Sequence, residues 1–234
     1  MIDRKKMQET VTGYEAERVR VGVLGSHSAI DVLDGAAQES LRSLVVLQKG
    51  RDAVYSKYLR KIGVTGGKAR RGIVDSTMTF QKFSDILHET NMVKLRENNT
   101  VFVPNRSFTS YCGIGDIEDN FSVPLFGSRN LLRSEEREEK ENYYTLLEKA
   151  GLPYPDKIDA PSDINFLSIV KLHHAKKKLE RGFFTASSSE EYDRKSAALI
   201  RAGVIDSDTL AHARIERYVI GPVFNLDFFY SPHA

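Results

Sequence analysis

The chain has 234 residues, with 34 Lys and Arg against 32 Asp and Glu, a net charge of +2 and a single cysteine. That length suits one large domain or two small ones, and a charge this close to balance argues against a dedicated nucleic-acid binder, which carries a basic excess on one face. No apolar run is long enough to span a bilayer, and the N-terminus MIDRKKMQET lacks the apolar stretch of a signal peptide. The chain is therefore expected to be soluble and cytoplasmic, with no membrane contact. The lone Cys112 excludes an internal disulfide and a cysteine zinc site; it reads as a small buried apolar residue.

Residues 1–18 are polar and read as a short leading helix or tail. VRVGVL (19–24) is an apolar, β-branched strand ending at Gly25, and after the turn GSHS the segment 29–40 places Ile30, Leu33, Ala36 and Ala37 at helical spacing. LRSLVVLQ (41–48) is a second strand, which completes a βαβ unit and hence a parallel sheet. Residues 49–72 read as a basic, glycine-containing loop and GIVD (72–75) as a short strand; 80–99 reads as one helix with Phe83, Ile86, Leu87 and Leu95 on one face. TVFVP (100–104) is a strand that runs into a loop over 105–116. Ser134 is expected to cap a helix whose solvated face is EEREEKE and whose other face is anchored by Leu146 and Leu147, closed by Gly151 and the prolines at 153 and 155. NFLSIVKL (165–172) and GFFTASS (182–188) form an antiparallel hairpin with the basic tip HHAKKKLER, and Ser188 with Glu191 makes a capping box for a helix closed by Gly203. Residues 206–213 add a helical turn, and 213–234 alternate as two strands around Gly221-Pro222.

Four segments have the residue types for chemistry. Gly25-Ser26-His27-Ser28, at a strand end and a helix start, offers backbone N–H groups, hydroxyls and an imidazole to an anion, or it is a capped turn. Arg106 and Ser107 follow the later strand, at the same sheet edge where α/β proteins bind ligands, or they belong to an ordinary surface loop. Lys171 ends an apolar strand and needs an anionic partner if it is buried, of which a nucleotide phosphate is one. The basic tip suits a triphosphate or is simply solvated; the adjacent His173 and His174 would point to opposite faces of a strand, so no metal is assigned there.

Taken in order, LGSHSAIDVLDGA, QKGRD, the loop ending YCGI, FSVPLFGSRNLL, EKAGLPYP, IVK and IERYVIGPVFNLDFFYSP resemble the archaeal formate–phosphoribosylaminoimidazolecarboxamide ligases, which are ATP-grasp enzymes. The resemblance runs from about residue 19 to the end. It implies an α/β fold: an N-terminal parallel-sheet, Rossmann-like domain over 1–133, then a partial α+β ATP-grasp domain over 134–234. It implies a ligase of purine (IMP) biosynthesis that joins formate to 5-aminoimidazole-4-carboxamide ribonucleotide through formyl phosphate, with ATP and Mg2+ as cofactors and a homo-oligomeric state. By position it carries ribonucleotide contacts to Gly25, Ser26, His27 and Ser107, and ATP contacts to Lys171, Glu216, Tyr218 and Val219.

Departures are visible too. The family loop Pro-His-Gly-Ser-Phe is here Pro104-Asn105-Arg106-Ser107-Phe108, the hairpin tip has lysines where glycines are usual, and Arg217 stands where a second glutamate is usual. The carboxylates that hold magnesium are expected beyond Ala234, so no metal ligand is assigned within the chain and the 234-residue chain by itself is expected to be inactive. A non-catalytic nucleotide-binding or oligomer-forming paralogue is the alternative, and a ligase of the same architecture acting on another substrate is a third reading.

Overall fold

The computed structural model describes residues 2–63, 71–135, 142–172 and 182–224. The chain divides into two compact units, Met1–Glu135 and Glu136–Ala234.

The first unit is built on β1 (Arg20–Leu24), β2 (Arg42–Gln48), β3 (Ser76–Phe80) and β4 (Thr100–Phe102). All neighbours are parallel and the order is β3-β2-β1-β4. Because side chains alternate along a strand, the sheet divides its apolar residues between two cores, as a sheet covered on both faces must. Leu24, Leu44, Val46 and Phe102 pack on one side with Phe83, Ile86, Leu95, Phe108 and Phe121; Val23, Val45 and Leu47 pack on the other with Ala29, Leu33 and Tyr55.

The helices of this unit are α1 (Arg4–Thr12), α2 (Ala29–Gln38), α3 (Glu89–Glu97), α4 (Arg106–Cys112) and α5 (Ile114–Asp119). Helix α2 buries Ala29, Leu33 and Ala36, whereas Ile30 is exposed, so its core stripe is rotated one residue from the expected one. The third strand is Ser76–Phe80 and not 72–75. It is an edge strand with no fully buried residue, so it lacks the apolar run that marks a central strand. The helix expected over 80–99 is broken at His88, whose ψ of 131° is extended; a 3-10 turn, Phe83–Leu87, precedes it. The expected loop over 105–116 is helical instead. The Asn105 side chain caps α4 by accepting from the Phe108 N–H at 3.1 Å, and Gly113 (φ +77°) separates α4 from α5 in a conformation other residues rarely adopt.

The second unit contains α6 (Tyr143–Lys149), β5 (Lys157–Ile158), β6 (Ser168–Lys171), β7 (Phe183–Ala186), α7 (Ser189–Arg201), α8 (Ser207–Ala211) and β8 (Arg214–Arg217). Its strands are antiparallel in the order β5-β8-β6-β7. Helix α7 shows half of the expected capping box: Ser188 Oγ accepts from Glu191 N–H, but the Glu191 carboxylate accepts from Ser187 N–H, one residue before the cap. Gly151 and Gly203 (φ +66° and +65°) end α6 and α7.

Ser134 caps no long helix. It lies within a 3-10 turn, Arg129–Glu135, and α6 is capped by Asn142, whose side chain accepts from Tyr144 and Thr145 N–H. The buried anchor of α6 is Tyr144, while Leu146 is exposed. Most of EEREEKE, the basic tip 173–181 and the segment 225–234 lie outside the described residues.

Candidate functional sites

In the first unit, β1 is flanked by β2 on one side and β4 on the other. Chain direction along the sheet reverses there, and the loops leaving β1 and β4 part to either side. Such switch points are where open α/β sheets bind ligands. Asn105 ties the two loops together: its Nδ2 donates to Leu24 O at 3.0 Å and Ser26 O at 2.9 Å while its Oδ1 caps α4. Gly25 is required by packing, since a Cβ there would meet Leu47 Cδ2 at 2.5 Å.

His27 is exposed and sits at φ +50°, a left-handed backbone that non-glycine residues adopt sparingly and that clusters at functional sites. Its Nδ1 is 3.2 Å from Ser28 Oγ. Ser107 is 8% exposed at the second position of α4. Gly25, Ser26 and His27 therefore sit in a turn that one buried asparagine joins to the start of α4, which carries Ser107. Sequence reasoning noted Asn105 only as a departure, because the helix it caps reads as a loop in sequence. Arg51, beyond β2, also reaches this edge, donating to Tyr111 Oη at 2.8 Å and Ser26 Oγ at 3.4 Å.

In the second unit, β6 and β8 set Lys171 directly opposite Arg214. Two cations so placed repel. Glu216, two residues along β8 on the same face, resolves this: Oε2 accepts from Lys171 Nζ at 2.6 Å and Oε1 accepts from Arg214 Nε at 2.6 Å. The intervening pair Val170 and Ile215 points to the opposite face, into the core with Ile158, Ile164, Ala186 and Tyr192. Tyr144 of α6 covers the charged cluster. Its hydroxyl donates to Glu216 Oε1 and accepts from Lys171 Nζ at 3.0 Å, and Arg214 stacks 3.7 Å from its ring centroid.

Glu216 has no solvent exposure. Burial alone would raise its carboxyl, but hydrogen bonds from Lys171, Tyr144 and Arg214 outweigh this and hold it below the ordinary glutamate value. Burial, and then the bond to that carboxylate, push the Tyr144 phenol well up, so it remains a donor. The anionic partner that Lys171 needs is thus supplied by the protein. Both Glu216 oxygens are engaged internally, and its main chain lies in β8 between β5 and β6. Tyr144 and Arg214 were not singled out from sequence, because α6 and β8 are far apart along the chain. Tyr218 and Val219 follow β8 and are exposed, Tyr218 N–H donating to Leu167 O at 3.0 Å.

Among the described residues no group of three or more His, Cys, Asp or Glu is arranged to hold a metal ion, and no helix is long and apolar enough to cross a membrane.

The family model described as protein of unknown function DUF1246 matches residues 21–158, and the model described as domain of unknown function DUF1297 matches residues 191–234. The chain is 38% identical over 231 residues to the 5-formaminoimidazole-4-carboxamide-1-(beta)-D-ribofuranosyl 5'-monophosphate synthetase of Methanopyrus kandleri. It is 36% identical over 232 residues to the protein of the same name from Methanocaldococcus jannaschii. Each match covers 99% of this chain and 60% of the relative, so the chain spans about 60% of the length of these curated relatives. Among solved structures, an IMP biosynthesis protein PurP from Thermococcus kodakaraensis shares 22% identity and a TM-score of 0.52, over 86% of this chain and 50% of that one. The N5-carboxyaminoimidazole ribonucleotide synthetase from Thermotoga maritima gives 11% and 0.53, over 86% and 46%. These likenesses show the α/β fold.

Proposed function

We propose, from the premise that this chain belongs to the DUF1246 family, that it forms part of an ATP-dependent ligase that joins formate to 5-aminoimidazole-4-carboxamide ribonucleotide. The observation that carries this reading is the switch-point site, where Asn105 ties the Gly25-Ser26-His27-Ser28 turn to the start of α4, which carries Ser107. The curated relatives, named as synthetases of the formylated ribonucleotide, support it across 99% of the chain.

In this reading Ser26, His27 and Ser107 hold the ribonucleotide. The main chain of Tyr218 and Val219 holds the adenosine. Lys171 approaches the ATP phosphates: an ammonium has three N–H donors, two of which go to Glu216 and Tyr144, leaving one for a phosphate oxygen. Glu216 acts through Lys171 as a positioning residue. ATP supplies the phosphoryl group that activates formate. The ribonucleotide amine then attacks the formyl carbon, phosphate leaves, and the amine loses a proton to solvent. Phosphoryl transfer of this kind depends mainly on positioning and charge stabilisation. Magnesium, when bound, would supply charge stabilisation to the ATP phosphates, and the described residues offer no cluster of carboxylates to hold it; a cytoplasmic location and a homo-oligomeric state complete the proposal.

With ATP present, ADP release should require both formate and the ribonucleotide. His27→Ala should raise KM for the ribonucleotide by about tenfold, the loss of one good hydrogen bond, and leave KM for ATP unchanged. ADP release that ignores formate would overturn the reaction; a ribonucleotide KM that ignores His27 would overturn the site.

A further inference from the structure

Arg51 stands in the loop after β2, at the same sheet edge as the turn after β1, and it is exposed. Its guanidinium is nonetheless held. It lies 5.4 Å from the Phe83 ring centroid and 5.8 Å from that of Tyr111, Nη1 donates to Tyr111 Oη, and Nη2 donates to Ser26 Oγ. Phe83 is buried in the unit's core, so one wall of this seat is fixed. Among the described residues no carboxylate pairs with Arg51, although ion pairs hold Lys61 to Asp75, Arg96 to Glu89 and Arg133 to Glu118 in the same unit.

A guanidinium is always charged and presents five N–H donors in a rigid fork matched to carboxylate or phosphate. The two hydrogen bonds seen here leave most of that fork unused. Aromatic contacts fix its plane in advance, so little side-chain freedom remains to be lost when an anion arrives. One of its two acceptors, Ser26, belongs to the turn that holds His27. A phosphate contacting Arg51 would therefore lie against the same turn.

We infer that Arg51, seated on Phe83 and Tyr111 and bonded to Ser26, binds the 5′-phosphate of the ribonucleotide. The inference rests on the ribonucleotide reading proposed above. A purely structural clamp, in which Arg51 only fastens Tyr111 to the β1 turn, is the competing role, and binding separates the two. A phosphate contact acts on the phosphorylated ligand alone, whereas a clamp acts on every ligand of the loop.

The test titrates the full chain, as wild type, Arg51→Met and Arg51→Lys, with the ribonucleotide and with its dephosphorylated nucleoside, by calorimetry. A charge-assisted contact to phosphate corresponds to a ~10- to 100-fold loss of ribonucleotide affinity in Arg51→Met, with nucleoside affinity unchanged. Arg51→Lys should recover part of the loss, since it restores charge without the fork. Equal weakening of both ligands in Arg51→Met, or no weakening of either, overturns the inference. If wild type binds neither ligand, the substrate reading fails, and inorganic phosphate becomes the probe. Phosphate binding abolished by Arg51→Met then keeps the anion site without that substrate; phosphate binding indifferent to Arg51, or absent, overturns the anion site too.

Discussion

A glutamate without solvent exposure, bonded at once to a lysine, an arginine and a tyrosine, is a costly residue to change. Removing one partner of a buried charge cluster costs more than the cluster contributes, because the remaining charges stay desolvated. Glu216→Ala leaves Lys171 and Arg214 facing each other across β6 and β8, and it should destabilise the second unit by ~3–5 kcal/mol, read by chemical denaturation. Glu216→Gln keeps the shape and removes the charge, and should cost less. Acid acts on the same group. Its folded value lies below the ordinary 4.5, so its stabilisation is complete above that value and is lost as pH falls through the folded one. Melting of wild type should drop as pH falls below about 4.5, and Glu216→Gln should lack that part of the drop; parallel profiles would argue against the assignment. Cys112 is a quieter case. Burial pushes its thiol up to about 12, so an alkylating reagent at neutral pH should leave it unlabelled until denaturant is added.

At the scale of elements, the segment from β4 through α4 shows how one residue can organise a site. Asn105 caps α4 and ties it to the β1 turn, so Asn105→Ala removes a cap and both side-chain ties, while Leu24 O and Ser26 O keep the main-chain bonds from Ser26 N–H and Ala29 N–H. A loss of ~1–2 kcal/mol is expected from the cap, with ribonucleotide affinity falling as the loops part; calorimetry and melting read the two effects separately. A stability loss with unchanged affinity would mean that the loops hold their places without Asn105. The central strands were legible in the sequence because VGVL (21–24) and LVVL (44–47) are continuous apolar runs. The Ser188 cap of α7 and the glycine ends of α6 and α7 were legible as well, since caps depend on local chemistry. The α4–α5 pair was not. NRSFTSYCGIGD has turn-like composition, and only burial of Phe108, Cys112 and Ile117 in the core makes it helical. The break at His88 was hidden for a similar reason: Phe83, Ile86, Met92 and Leu95 all reach one core, and a 3-10 turn followed by a helix presents them there as well as one helix would.

Across the whole molecule, each unit has its own apolar centre. In the first, Phe102, Phe108 and Phe121 pack with ring centroids 4.8–5.5 Å apart. Phe108→Ala should cost ~3–5 kcal/mol, and because α4 carries Ser107, ribonucleotide binding should weaken with it; near-ultraviolet circular dichroism and calorimetry report the pair. The sequence by itself determined the α/β class, the central parallel strands, the hairpin of the second unit and the turn that carries His27. Each depends on interactions a few residues apart or on an uninterrupted apolar run, which short windows of sequence contain. The tertiary structure alone decided that Asn105 joins two loops 79 residues apart, at Ser26. It alone decided that Arg51 reaches Tyr111, 60 residues away, and that Glu216 of β8 is the anion Lys171 of β6 requires, 45 residues distant. Those partners are chosen by strand register and by how helices seat on a sheet, and neither is written in the spacing of any one segment.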